Sequence, residues 1–178
     1  MSVRLLRLEN LRADLPLGPD AFGEAYNGRF LLAMGLLSAE ELSVQIRAGE
    51  DADEAKTAAL QFGARMTHAI ASHPFAGCAF FIPLDLAPAT LVAGRSSGYD
   101  LTVPDTSVSD RHCELRLDPQ GWLFVTDLKS TNGTSINLER LAAGMATELD
   151  DEDILTLGRY SFQHLQSASM YRALEMLE

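Results

Sequence analysis

Three short polar stretches follow one another in the second half of the chain: Gly94-Arg95, then Ser109-Asp110-Arg111-His112, then Thr131-Asn132-Gly133-Thr134 with Asn137 three residues on. Their side chains suit an anion attached to a peptide. The guanidinium of Arg95 is a planar fork of N–H donors that fits two oxygens of one phosphoryl group. Ser109 adds a hydroxyl donor from a separate stretch. Asn132 has an amide that both donates and accepts, which matches a peptide backbone with one donor and one acceptor per residue. A phosphorylated residue within a peptide, with a charge of about −1.5 to −2 and three acceptor oxygens on its side chain, would engage all of these groups at once.

Such groups must be carried on loops held by something rigid, and the surrounding sequence reads as short strands and tight turns. Residues 78–84, 90–93, 113–117, 123–127, 134–138, 154–157 and 162–165 have strand character. Asp118-Pro119-Gln120-Gly121 is a turn, because proline pre-sets one dihedral and glycine tolerates a positive φ. It makes a hairpin of residues 112–117 and 122–127. Many short strands at regular spacing indicate a sandwich or barrel, whose loops at one end can converge on a ligand.

The order G-R, S-x-x-H, S-T-N-G-T-x-x-N, then an acidic turn at Asp150-Asp151-Glu152-Asp153 leading into a strand that ends at Gly158, resembles the forkhead-associated (FHA) family over residues 87–165. The resemblance implies a two-sheet β-sandwich that recognises phosphothreonine in partner proteins. It implies that Arg95 and Ser109 hold the phosphate, that Thr131 assists, and that Asn132 holds the peptide main chain. Gly94, His112, Gly133 and Asn137 would support the loops. Asp110 and Arg111 would modulate the site, because the family often has Arg, Lys or Asn directly after the serine. A carboxylate about 6 Å from the phosphate would cost roughly 0.7–3 kcal/mol. Alternatively, Asp110 points away, or pairs with Arg111 or Arg116.

Before Pro74 the periodicity is helical. Phe22, Tyr26, Phe30, Ala33 and Leu37 form a stripe at spacings of three and four. Ser38 with Glu41 makes a capping box and Gly49 a stop. Asp51 or Asp53 would cap a further helix whose apolar face is Ala55, Ala59, Phe62, Met66 and Ile70. The expected fold class is therefore α+β: a helical region over 1–75, an all-β sandwich of two sheets over 76–168, and a short helix over 169–178. The apolar stripes would pack on each other or on the sandwich, or form a surface for a second copy or a partner.

The net charge of −11 argues against nucleic acid and anionic membrane surfaces as partners. No run of about 18 apolar residues is present, which argues against a membrane span, and the first residues lack the pattern of a secretory signal. Two cysteines, Cys78 and Cys113, make no disulfide framework, so the expected compartment is the cytoplasm. Twelve arginines against two lysines, with abundant Ala and Leu, hint at a bacterial source. Asp105, Ser109 and His112 mimic a hydrolase triad but lack the G-x-S-x-G elbow. His68, His73 and Cys78 fit no zinc spacing. No enzyme activity, metal or cofactor is expected. The first functional reading is an adaptor that recruits a phosphothreonine-containing protein, either a Ser/Thr kinase or its substrate. The second is a phosphate-independent scaffold whose helical region forms a homo-oligomer or docks a partner.

Overall fold

The computed structural model describes residues 2–36 and 75–176. Among these, the strands are β1 (Arg4–Arg7), β2 (Gly28–Leu36), β3 (Cys78–Pro83), β4 (Ala89–Gly94), β5 (Leu101–Thr102), β6 (Cys113–Leu117), β7 (Leu123–Asp127), β8 (Thr134–Ile136), β9 (Glu139–Arg140), β10 (Ala146–Glu148), β11 (Ile154–Leu157) and β12 (Tyr160–Gln166). Helices α1 (Leu8–Ala13) and α2 (Pro19–Ala25) lie between β1 and β2, and α3 (Ser167–Met176) follows β12. The strands form two sheets, with orders β1-β3-β2-β12-β11-β8-β9 and β10-β7-β6-β4-β5. Only the β4–β5 pairing is parallel among those described.

The two sheets pack face to face over one core. Leu91, Leu115 and Val125 of the smaller sheet meet Phe80, Leu155 and Phe162 of the larger. In β6 and β7 the buried residues alternate, with Cys113, Leu115 and Leu117 inward and Glu114 and Arg116 outward. This is the period-2 signature of a sheet with one wet face. The expected hairpin is present in register, Leu115 opposite Val125. In its turn Asp118 accepts main-chain N–H groups from Gln120 and Trp122, both at 2.9 Å.

The larger sheet has a second apolar layer on its outer face. Leu11 of α1, Phe22 of α2 and Met170 and Leu174 of α3 cover Phe30, Phe81 and Leu165. Strand β3 is thus buried on both faces, and all six of its residues are buried. The buried residues of α1 and α2 are accordingly used within the molecule, against the sandwich.

This layer corrects the sequence reading of the N-terminal region. The stripe Phe22, Tyr26, Phe30, Ala33, Leu37 does not form one helix. Helix α2 ends at Ala25 and Gly28–Leu36 is a strand between β3 and β12. A strand covered on both sides is apolar at nearly every position, so its residues also satisfy a helical spacing by coincidence. Gly28 marks the change: a Cβ there would lie 2.4 Å from the Phe81 ring. The sandwich therefore draws on residues 4–7 and 28–36 as well as on those after 76. The helices expected from Ser38 to Gly49 and over 51–72 lie outside the described residues. At the far end α3 is held at its start by Asp151, whose carboxylate accepts the Gln166 N–H at 2.7 Å and the Ser169 hydroxyl at 2.5 Å.

Candidate functional site

The site is built where β4 ends. Gly94 runs directly against the Ser109-to-Arg111 loop, so that a Cβ on it would meet the Asp110 carbonyl oxygen at 2.1 Å. No side chain fits there. The contact lets the Arg95 N–H donate to the Ser109 carbonyl at 3.0 Å and the His112 N–H donate to Ala93 at 2.9 Å. Arg95 is thereby fixed at its main chain beside Ser109. Its guanidinium is exposed and has no ion pair or hydrogen bond among the described residues.

A second set of bonds joins the Ser109 loop to the loop between β7 and β8. The Thr131 N–H donates to the Ser109 Oγ at 2.9 Å, and the Ser109 hydroxyl points its own proton at Thr131 Oγ1 over a long 3.4 Å. A bond of that length is weak, which leaves the hydroxyl proton available to a better acceptor. The Asn132 side-chain amide donates to the Ser107 carbonyl at 2.7 Å. Its Oδ1 and second amide hydrogen have no partner among the described residues.

Beneath these loops lies His112, fully buried. Its Nδ1 accepts the Ser109 N–H at 3.0 Å, so the ring proton sits on Nε2 and is donated to the Gly133 carbonyl at 3.0 Å. One imidazole thus ties the Ser109 loop to the Gly133 loop and needs the neutral tautomer to do so. Burial lowers its pKa, against the opposing pull of the Gly133 carbonyl and Asp127. Gly133 sits at φ 85°, a left-handed conformation that suits glycine.

Asp127 was not among the expected site residues, yet it shapes the third loop. Buried at the end of β7, it accepts the Ser130 N–H at 3.1 Å, the Ser130 hydroxyl, and the Thr134 hydroxyl at 2.7 Å. The loop closes around this carboxylate and turns Thr131 and Asn132 outward. The signal in the sequence was an Asp at a strand end with Ser three residues on, the spacing at which a capping carboxylate accepts a main-chain N–H.

Asn137 supports a different loop from the other three supporting residues. Its amide donates to Asp153 at 2.6 Å and its Oδ1 accepts the Ile154 N–H at 2.9 Å, which ties the turn after β8 to the acidic turn before β11. That acidic turn is itself structural, with Asp153 accepting the Asp150 N–H at 2.9 Å.

Asp110 pairs with neither arginine expected for it. The Ser96 hydroxyl donates to its carboxylate. Arg111 pairs with Glu114 at 3.8 Å, and Arg116 lies 4.4 Å over the Phe124 ring. The triad mimic is also taken apart: His112 touches the main-chain N–H of Ser109 rather than its hydroxyl, and Asp105 is bound by Arg159. Among the described residues no group of three His, Cys, Asp or Glu is placed to hold a metal ion, and no helix is long and apolar enough to cross a membrane.

Known proteins resemble the segment of the chain that carries these loops. The family model "FHA domain" matches residues 91–158. An FHA domain-containing protein of Arabidopsis thaliana is 32% identical over 80 residues, 44% of this chain and 20% of that protein. The FHA domain-containing protein FhaA of Mycobacterium tuberculosis (strain ATCC 25618 / H37Rv) is 42% identical over 67 residues, 38% of this chain and 12% of that protein. The match thus spans a fifth or less of these relatives. A solved structure from a structural and functional analysis of phosphothreonine-dependent FHA domain interactions is 30% identical, with a TM-score of 0.44 over 51% of this chain and 85% of that one. With its motif residues brought together at one end of a two-sheet sandwich, the segment 91–158 of this chain belongs to the FHA family.

Proposed function

We propose that this chain is a phosphothreonine-dependent protein–protein interaction module, an adaptor without catalytic activity of its own. The observation that carries the reading is Arg95: an exposed, unpaired guanidinium whose main chain is bonded to Ser109, whose hydroxyl is in turn bonded to Thr131. Arg95 and Ser109 contact the phosphate, Thr131 assists, and Asn132 uses its free amide atoms to hold the partner's main chain. Gly94, His112 and Gly133 keep the loops in place, and Asn137 braces the neighbouring turn. The partner is a protein phosphorylated on threonine, either a Ser/Thr kinase or its substrate, met in the cytoplasm.

Calorimetric titration with a phosphothreonine peptide library tests this. Arg95→Ala should weaken binding roughly ten- to a hundredfold, the loss of charge-assisted bonds of about 1.5–3 kcal/mol. Failure of the intact protein to bind any phosphopeptide would sink the reading. The alternative, a phosphate-independent scaffold that self-associates through its helical region, is favoured by one observation: the Asp110 carboxylate on the Ser109 loop, which no cation among the described residues neutralises. It would be supported by concentration-dependent light scattering of the full chain without phosphopeptide.

A further inference from the structure

The residue after Ser109 is an aspartate whose position is fixed. Asp110 is exposed, its main-chain carbonyl is packed on Gly94, and the Ser96 N–H approaches that carbonyl at 3.5 Å. The Ser96 hydroxyl, one residue from Arg95, holds one carboxylate oxygen. The second oxygen is uncommitted, and no cation among the described residues lies within ion-pair distance: Arg111 is turned to Glu114 and Arg159 to Asp105. One loop junction therefore carries, on the residues that adjoin Ser96 and Ser109, a guanidinium and a carboxylate that each lack an ionic partner among the described residues. A bare dianion complements only half of that surface. A phosphate with a cation attached nearby complements both halves.

We propose that Asp110 is a specificity-determining residue that selects phosphothreonine partners carrying an arginine or lysine within two positions of the phosphothreonine, and rejects acidic neighbours. The inference rests on the phosphothreonine reading of the same site. The chain's net charge of −11 would favour basic peptides in a general way, but at physiological salt, charges more than about 8 Å away are largely screened. A carboxylate beside the phosphate pocket is not. A single pair of solvent-exposed charges at nearly water-like screening distinguishes a basic from a neutral neighbour by about three- to tenfold.

The test is a titration of the full chain with three phosphothreonine peptides that differ only in having arginine, alanine or glutamate next to the phosphothreonine, scanned over the two positions on either side. The intact protein should rank them arginine, alanine, glutamate, with about three- to tenfold between successive peptides at the best position. Asp110→Asn keeps an acceptor for Ser96 and removes the charge. It should tighten binding of the alanine and glutamate peptides and collapse the spread. Glu175→Gln, a charge removed from an exposed position of α3, should leave the spread unchanged. A spread that survives Asp110→Asn, or that shrinks equally in Glu175→Gln, overturns the inference while leaving phosphothreonine binding intact. No binding of any peptide by either the intact protein or Asp110→Asn overturns both readings together.

Discussion

At the scale of single residues, the loop between β7 and β8 depends on one buried carboxylate. Asp127 is buried and serves two hydroxyls and one main-chain N–H. Asp127→Ala would leave those three donors without their acceptor in a site closed to water. Stranded buried polar groups cost about 1–3 kcal/mol each when no water reaches them. A total loss of about 2–4 kcal/mol in urea unfolding is expected, because the loop would relax to recover part of it. Asp127→Asn keeps one acceptor oxygen and should lose about half as much. Phosphopeptide affinity should fall in both variants, although neither changes a group that touches the phosphate. An unchanged unfolding midpoint in Asp127→Ala would show that the loop is held by something else.

At the scale of elements, the site depends on how closely β4 approaches the loop that precedes β6. Arg95 and Ser109 are 14 positions apart and become neighbours because position 94 has no side chain. Gly94→Ala must move the Asp110 carbonyl away from a Cβ that would otherwise lie at 2.1 Å. Backbone, not a flexible side-chain tip, is what would have to give. The expected result is a loss of about 2–4 kcal/mol, with faster amide hydrogen exchange at Arg95 and His112, the N–H groups that bridge the two segments. Protection at these amides equal to that of the intact protein would show that the junction tolerates the methyl group.

At the scale of the whole molecule, two buried imidazoles make stability depend on pH. Burial lowers the pKa of His112, and burial likewise lowers that of His164, whose Nδ1 proton goes to the Asp150 carbonyl at 2.7 Å. The unfolded chain binds protons at these residues near pH 6.5, and the folded chain does so only at lower pH. Their contribution is therefore complete above about pH 6.5 and is lost as the pH falls from there through the lowered folded values. The melting temperature should already decline between pH 7 and pH 5.5, above the range in which ordinary carboxylates titrate. A flat profile across that interval would contradict it. The loss should extend to binding, since a proton on Nδ1 of His112 displaces the Ser109 N–H and loosens both recognition loops.

What the sequence determined by itself is what depends on near neighbours in the chain. The turn at Asp118 to Gly121, the alternating strands β6 and β7, and the three polar stretches could be read directly, because turn chemistry and the period-2 pattern act over a few residues. The tertiary structure decided whatever depends on a second partner far along the chain. Strand β2 reads as a helix until α1, α2 and α3 are seen to cover the outer face of the sheet, since burial on both sides erases the alternation that marks a strand. The partner of Asp110 is Ser96, 14 positions earlier, rather than an arginine nearby in sequence. The Nε2 proton of His112 goes to the carbonyl of Gly133, 21 positions later. Such choices follow from which backbones the sheets bring within hydrogen-bonding distance, and residue types alone do not encode that distance.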